Sequence, residues 1–146
     1  MNWKDNKVLV TGGASFIGSH LTERLIELGA KVRIADNFSS GEKSHIKNLD
    51  CEILEGDLLS PEFCDQATDG IDTVFHLAAD HGGRGYIDAH QVECSTNMIL
   101  DGQVFRQAHQ NGVEKIIFAS SGCVYPTSAQ MDVTKEVFLY EEMVTP

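Results

Sequence analysis

The sequence predicts a doubly wound α/β domain, in which helices cover both faces of a parallel sheet. Short apolar runs rich in β-branched residues alternate with stretches of helical periodicity along the whole chain. The runs are continuously apolar, which is typical of strands buried on both faces. Since each intervening helix returns the chain to the same end of the sheet, this alternation favours parallel strands.

Five apolar runs are predicted to form the strands. They are KVLVTG (7–12), KVRIAD (31–36), CEILEGD (51–57), DTVFHLAAD (72–80) and EKIIFASS (114–121). The polar stretch after the second strand, residues 37–50, is predicted to be a loop with a short helix. A glycine-rich loop that begins HGGRGY follows the fourth strand and leads toward a long helix.

Three longer helices are predicted between the strands. The first has apolar residues at helical spacing: Ile17, Leu21, Leu25 and Leu28. Gly29 follows them where a C-cap glycine is expected. The second helix begins with Ser60 as N-cap and Pro61 in its first turn. The third presents one apolar face before Gly112 ends it: Leu100, Val104, Phe105 and Ala108.

Length and composition indicate one soluble domain. The chain has 146 residues, of which 42% are hydrophobic and 23% charged. It has no apolar stretch near the ~18 residues of a membrane span, and its first residues lack the apolar region of a signal peptide, so we expect a cytoplasmic protein. The net charge of −11 argues against nucleic acid or an anionic membrane as partner.

The cysteines give no sign of a metal site or a disulfide framework. Cys51, Cys64, Cys94 and Cys123 are widely spaced, without a C-x-x-C pair. In a reducing compartment we expect four free thiols.

The turn after the first strand, TGGASFIGSHL, has the character of a phosphate-binding turn. Backbone N–H groups at the start of a helix bind pyrophosphate, helped by the helix dipole. Gly12 permits a tight turn, and Gly18 permits close packing of the helix on the strand. Ser15 occupies the place of a third glycine, and its hydroxyl is a candidate phosphate ligand. A purely structural tight turn is the alternative.

Asp36 strengthens the nucleotide interpretation. It ends the second strand about 20 residues after the glycine turn, where the dinucleotide fingerprint places an acidic residue. A carboxylate there accepts hydrogen bonds from the ribose hydroxyls and repels a 2′-phosphate, which favours NAD over NADP. The alternative is a solvated turn residue before Asn37. Asp57, at the end of the third strand, either faces the adenine or simply ends the strand.

Five sequence blocks between about residues 7 and 126 occur together: VTGGASFIGSHL, ADNFSSG, EGDLL, FHLAA and FASSGCVYP. In this order they resemble the extended short-chain dehydrogenases, specifically the NAD-dependent nucleotide-sugar epimerases and dehydratases. The resemblance implies a Rossmann-like NAD-binding domain at 1–126. It also implies that residues 127–146 are a tail leading toward later strands and a substrate domain, which this sequence does not contain. For the full-length protein it implies a homodimer.

The resemblance assigns cofactor roles to named positions. These are Gly12, Ser15, Phe16, Ile17 and Gly18 for the pyrophosphate, Asp36 and Asn37 for the ribose, Asp57 and Leu58 for the adenine, and Leu77, Ala78 and Ala79 along the cofactor. Asn97 matches an asparagine that supports this side of the fold.

Two segments resemble the nucleotide-sugar 3,5-epimerases within that family. The loop after the fourth strand contains Gly82, Gly83 and Arg84, which the resemblance places near the sugar. In SSGCVYP, Ser121 matches a serine that hydrogen-bonds the sugar hydroxyl being oxidised. Cys123 matches an acid/base cysteine that acts beside a transient 4-keto group. The alternative is that Cys123 only packs after a buried strand.

One part of the family pattern is missing. The family base is a tyrosine in Tyr-x-x-x-Lys, but Val144 stands four positions after Tyr140, and Ala129 four after Tyr125. We therefore expect the 146 residues to be catalytically inactive by themselves, since an alcohol loses a hydride only when a base accepts its proton. Two alternatives stay open: a UDP-sugar 4-epimerase or decarboxylase in which Cys123 has no role, and a non-catalytic, NAD-binding redox sensor.

Overall fold

A five-stranded parallel sheet forms the centre of the protein, which we describe from a computed structural model. The structure describes residues 3–121, 124–126, 128, 131, 134 and 136–144, with the backbone alone for Arg84. The strands are β1 (Lys7–Thr11), β2 (Lys31–Asp36), β3 (Glu52–Glu55), β4 (Thr73–His76) and β5 (Lys115–Phe118). All four strand pairs are parallel, so the predicted fold class is confirmed, although most strands are shorter than their apolar runs.

The described helices alternate with these strands. They are α1 (Phe16–Glu27), α2 (Lys43–Ile46), α3 (Pro61–Thr68), α4 (Arg84–Ala89), α5 (Gln91–Ser95) and α6 (Asn97–Gln110), followed by a 3₁₀ turn at Glu141–Met143. The two short helices α4 and α5 lie where the sequence predicts a loop that leads into one long helix. The prediction missed them because five or six residues carry too little apolar periodicity to identify a helix.

The strand order reverses beside β1, and we call the region outside the carboxyl ends of β1 and β4 the groove. The order across the sheet is β3-β2-β1-β4-β5, so the chain leaves β1 in one direction and later returns to its other side as β4. The carboxyl ends of β1 and β4 lie together, with Thr11 paired with His76. In sheets of this kind, ligands bind outside the carboxyl ends of the strands where the order reverses.

Both faces of the central strands of the sheet are buried, whereas the edge strands β3 and β5 are partly exposed. Val8 and Val10 face the side covered by α1, while Leu9 and Val74 pack on the opposite side against α3 and α6. The residues that complete this second cluster are Ala35, Leu58, Cys64, Ala67, Ile71, Val104 and Ala108. Burial on two faces explains why the strand sequences are continuously apolar.

The buried face of α1 differs from the predicted one. The helix buries Gly18, Ser19, Thr22 and Leu25, whereas Ile17 is 68% exposed. Because most of these buried residues are small, the axis of α1 lies close to the sheet, and Ile17 in the first helical turn faces outward. Leu28, also assigned to the buried face, is the partly exposed C-cap residue.

Two further expectations concern the cysteines and membrane spans. In the described part of the chain, Cys51, Cys64 and Cys94 are free thiols, and Cys123 lies outside it. Burial raises the pKa of Cys64 to about 11, which makes this thiol unreactive. Among the helices described, none is long and apolar enough to cross a membrane.

Candidate cofactor site

The turn between β1 and α1 is tight because of its glycines. Gly12 has a φ of +68°, a conformation that glycine adopts without strain, and its N–H donates to the carbonyl oxygen of Ala35 at 2.8 Å. A Cβ atom on Gly18 would overlap the carbonyl oxygen of Gly12. The first turn of α1 therefore lies directly on the end of β1.

Ser15 organises this turn from within. It is the N-cap of α1: its hydroxyl accepts the N–H of Gly18 at 3.1 Å and donates to the carbonyl oxygen of Gly12 at 2.7 Å. The hydroxyl hydrogen is thus used inside the turn. The predicted role of the Ser15 hydroxyl as a phosphate ligand stays a prediction, and the structure adds a capping role within the turn.

The backbone also offers anion-binding groups. Within the described part of the chain, no acceptor is present for the N–H groups of Phe16 and Ile17, as expected for the first residues of a helix. Both side chains are turned outward, with Phe16 74% and Ile17 68% exposed. Free N–H groups and the positive end of the helix dipole make this turn suited to a pyrophosphate.

Asp36 connects the glycine turn to the loop after β2. It is 7% exposed, and its two carboxylate oxygens accept the N–H groups of Ala14 at 2.9 Å and Phe38 at 2.8 Å. An ionised carboxylate has about four acceptor positions, so two remain for a ligand. The structure therefore places the predicted ribose ligand beside the predicted phosphate turn, with acceptor capacity left.

The loop after β2 packs closely on this carboxylate. A Cβ atom on Gly41 would lie 2.9 Å from the Cβ of Ala14 and 3.1 Å from an oxygen of Asp36. Asn37 is exposed and uses its side-chain oxygen to accept the N–H of Ser39 at 3.0 Å. Sequence reasoning did not single out Gly41, since the need for glycine there arises from contacts 27 and five residues away.

The two residues that are predicted to contact the adenine follow β3 and differ in their surroundings. Asp57 accepts the N–H of Leu59 at 2.9 Å and is one residue of a turn. The side chain of Leu58 is 4% exposed and lies in the core, so Leu58 can meet a ligand through its backbone only.

At the end of β4, Leu77, Ala78 and Ala79 form the other wall of the groove. A Cβ on Gly12 would lie 3.1 Å from both N and Cα of Ala78, so the two strand ends are nearly in contact. The hydroxyl of Thr11 accepts the N–H groups of Leu77 and Ala78, each at 3.1 Å.

A buried polar network continues behind this wall. Thr11 Oγ1 lies 2.7 Å from Nδ1 of His76, and Nε2 of His76 lies 3.0 Å from Oδ1 of Asp101 on α6. His76 is 1% exposed, and burial lowers its pKa, while Asp101 opposes that effect. Sequence reasoning left all three residues out of the site. A histidine inside the apolar run TVFHLAA was the available signal, because a buried histidine needs polar partners.

The loop after β4 is held by Asn97 and Tyr86. Asn97 accepts the N–H of Asp80 at 2.7 Å and donates to its carbonyl oxygen at 2.8 Å, and the hydroxyl of Tyr86 donates to the Asp80 carboxylate at 2.7 Å. The ring of Tyr86 covers Gly82, and Gly83 is the N-cap of α4. Both glycines, which are predicted to contact the sugar, are nevertheless exposed and lie beyond the carboxyl end of β4.

The acid/base block follows β5 at the same edge. Ser121 is exposed, and its carbonyl oxygen accepts the N–H of Val124 at 3.2 Å. Cys123, the predicted acid/base, lies outside the described residues, as does the side chain of Arg84.

The fold and the site together define a dinucleotide-binding α/β domain: strand order β3-β2-β1-β4-β5, a glycine turn with free amides and a buried carboxylate ending β2. The chain belongs to the NAD dependent epimerase/dehydratase family, whose model matches residues 8–146. The family resemblance stated from the sequence is thereby confirmed, and NAD as cofactor agrees with it.

Individual relatives support the same assignment. The chain is 36% identical over 129 residues to GDP-mannose 3,5-epimerase of Arabidopsis thaliana, covering 88% of this chain and 34% of that protein. An epimerase from Methanothermobacter thermautotrophicus superposes with a TM-score of 0.82 at 31% identity, over 98% of this chain and 42% of that one. UDP-glucose 4-epimerase of Brucella ovis in complex with NAD gives 0.76 at 28% identity, over 82% and 37%. The chain thus spans about a third to two-fifths of their lengths.

Proposed function

We propose that this chain is the N-terminal, NAD-binding part of a nucleotide-sugar epimerase/dehydratase that works through a transient 4-keto sugar. The observation that carries the proposal is a buried carboxylate, Asp36, bonded to the same turn whose Phe16 and Ile17 N–H groups have no acceptor among the described residues. A ribose and a pyrophosphate are joined in one molecule in an adenine dinucleotide. The family to which the chain belongs uses that cofactor.

Each part of the site has a separate task in this proposal. The amides of Phe16 and Ile17 bind the pyrophosphate, and Gly12 and Gly18 let it approach the backbone. The free acceptor positions of Asp36 bind the ribose hydroxyls, with Asn37 beside them. Asp57 and the backbone of Leu58 border the adenine. Leu77, Ala78 and Ala79 line the groove toward the sugar.

The cofactor part of the proposal is tested by titrating the chain with NAD and with NADP in a calorimeter. We expect tighter binding of NAD, because Asp36 repels a 2′-phosphate. In Asp36→Asn we expect NAD affinity to fall about 10- to 100-fold, since hydrogen bonds to a charged acceptor are lost, and the preference over NADP to shrink.

A matched control is available at the opposite edge of the sheet. Asp72 also accepts a backbone N–H, that of Lys7 at 2.8 Å, but it lies at the amino ends of the strands. Asp72→Asn should leave NAD affinity unchanged. Tighter binding of NADP than NAD by the unmodified chain contradicts the role given to Asp36, and absence of NAD binding contradicts the whole proposal.

The proposed chemistry begins at the sugar C4 hydroxyl. Bound NAD supplies a reversible hydride acceptor for that carbon. Ser121 hydrogen-bonds the hydroxyl, whose proton would pass to the family's tyrosine base, which is not among these 146 residues. The resulting ketone acidifies the C–H bonds at C3 and C5. Cys123 then serves as acid/base at these carbons, provided that its surroundings bring its pKa below the reference of about 8.5. Gly82, Gly83 and Arg84 contact the sugar from the loop after β4. The serine–cysteine block also resembles that of GDP-fucose synthase.

The tyrosine and lysine of the family base are not in this sequence, so we propose that these 146 residues bind cofactor without turning over a sugar. We also propose a cytoplasmic location, from the composition of the first residues, and homodimerisation of the full-length protein, from the family resemblance. Homodimerisation is further supported by the exposed apolar side chains of Val92, Met98 and Ile99 on α5 and α6.

A UDP-sugar 4-epimerase or decarboxylase is the alternative enzyme, in which Cys123 has no chemical role. The two are distinguished with the longest polypeptide that the gene encodes, incubated in D₂O with GDP- and UDP-sugars. Deuterium at sugar C3 or C5, lost in Cys123→Ser, supports 3,5-epimerisation. Inversion at C4 without deuterium at C3 or C5 would show that Cys123 has no chemical role. NAD binding without any sugar conversion supports the third alternative, a redox-sensing module.

A further inference from the structure

A series of hydrogen bonds, all donated in the same direction, runs from Thr11 through His76 to Asp101. The hydroxyl oxygen of Thr11 already accepts the N–H groups of Leu77 and Ala78. These two bonds use both lone pairs of the oxygen, so its hydrogen is left to donate to Nδ1 of His76, at 2.7 Å. Nδ1 must then be unprotonated.

Asp101 selects the same tautomer from the other side of the ring. Its carboxylate accepts at 3.0 Å from Nε2, which therefore carries the hydrogen. The groups against the ring are Thr11 from β1, Asp101 and Phe105 from α6, and Phe118 from β5. Of these four, Asp101 carries the charge, and its side chain is 26% exposed while that of His76 is fully buried.

We propose that Asp101 and His76 are positioning residues for the cofactor groove, acting through Thr11. These hydrogen bonds orient the Thr11 hydroxyl so that it accepts the N–H groups of the two residues that follow β4, which keeps the end of β4 against Gly12. The wall formed by Leu77 and Ala78 thereby has a set distance from the phosphate turn. This inference depends on the proposed NAD site, because it concerns the shape of that groove.

Protonation of His76 breaks this series of hydrogen bonds. A protonated ring donates from Nδ1, so Thr11 Oγ1 would face three donors with two lone pairs and would release Leu77 or Ala78. Burial keeps the pKa of His76 below its ordinary value near 6.5. We therefore expect NAD affinity to be constant near neutrality and to fall only at more acidic pH.

The first test compares two buried threonines. Thr11→Val keeps the shape and removes the hydroxyl; we expect NAD affinity to fall on the order of tenfold, the equivalent of one hydrogen bond. Thr68→Val is the matched control, because Thr68 is equally buried but bonds the carbonyl oxygen of Cys64 in α3, away from the groove. Equal NAD affinity in all three proteins overturns the inference.

The second test follows His76 directly, in the unmodified chain and in Asp101→Ala. Side-chain ¹⁵N spectra, assigned with His76→Asn, should show the Nε2–H tautomer at neutral pH, and the Nδ1–H tautomer overturns the inference. Since Asp101 raises the pKa of His76 against the effect of burial, its removal should move both the His76 titration and the acid loss of NAD affinity to lower pH. A merely structural Asp101 would leave the pH midpoint of NAD affinity in place, which also overturns the inference.

The outcomes separate this inference from the proposed function. An unmodified chain that fails to bind NAD counts against the proposed function, whereas the tautomer is measured without any ligand. Normal NAD binding that is insensitive to Thr11→Val and to the protonation of His76 counts against the inference alone.

Discussion

The phosphate turn and the loop after β4 lie at the same edge of the sheet but are held in place differently. In the first region, the side chains of Ser15 and Asp36 bond backbone groups of the turn, and Gly12 adds backbone bonds of its own, around buried or half-buried groups. The loop after β4 is tied by bonds to one residue, Asp80, from Asn97 and Tyr86. In the first region a Cβ atom added to Gly12 would press on backbone atoms. In the second region a Cβ atom added to a glycine beyond Gly82 would meet no atom within 4 Å.

The difference matches what each region is proposed to bind. A pyrophosphate is a compact anion, and a tightly packed backbone turn can bind it without reorganising. Sugar-binding segments belong to exposed loops, whose few contacts permit change among relatives. Substitutions in the phosphate turn should therefore affect the whole domain, and substitutions in the loop should act locally.

The largest effect is expected for Gly18→Ala. The new Cβ would overlap the carbonyl oxygen of Gly12, and backbone cannot move aside as a side chain can. We expect the free energy of unfolding to fall by about 2–4 kcal/mol, the range of severe overpacking, and NAD binding to be lost. Urea unfolding followed by circular dichroism measures the first effect, and calorimetry the second.

Gly102→Ala is the control for that substitution. Gly102 lies inside α6, and a Cβ there meets no atom within 4 Å. Alanine should raise the free energy of unfolding by about 0.5–1 kcal/mol, because glycine is the poorer helix former. If both variants changed stability in the same direction, the contrast between a packed turn and an open helix face would be wrong.

An intermediate effect is expected for Asn97→Ala. Asp80 would lose partners for both its N–H and its carbonyl group. We expect a loss of about 1–2 kcal/mol in unfolding free energy, together with faster hydrogen exchange of the Asp80 amide. Arg106→Ala, an exposed position on the same helix, should change neither. Unchanged exchange at Asp80 would show that the loop is held by other contacts.

The smallest effect is expected at Tyr86. Its hydrogen bond to Asp80 stabilises the protonated phenol and raises its pKa, so any contribution to stability is present below that pKa and lost as the pH rises through it. Because the pair is exposed, Tyr86→Phe should leave thermal stability almost unchanged. Asp80→Asn should bring the phenol titration of Tyr86 to lower pH, read as the absorbance difference from Tyr86→Phe. An unmoved titration would refute the hydrogen bond.

Several features of the site were predictable because their signals are local in sequence. The glycine turn and Asp36 are separated by one helix and one strand of ordinary length, so their spacing follows from the βαβ unit. The two serine N-caps were not predicted equally well. Ser60 was predicted to be the N-cap of α3, and it is. Ser15 was interpreted as a phosphate ligand, and its capping bonds were missed.

Alternating periodicity was sufficient to determine the fold class, since continuous apolar strands separated by amphipathic helices have few other ways to bury their surface. Residue types at the strand ends likewise determined the expected cofactor. Only the tertiary structure decided that Ile17 is exposed, that Gly41 must lack a side chain, and that Thr11, His76 and Asp101 join in one network. Gly41 contacts atoms of residues five and 27 positions away, and the three residues of the network are 25 to 90 positions apart. The exposure of Ile17 depends on how closely α1 packs on the sheet, and a local sequence pattern contains neither these contacts nor that packing distance.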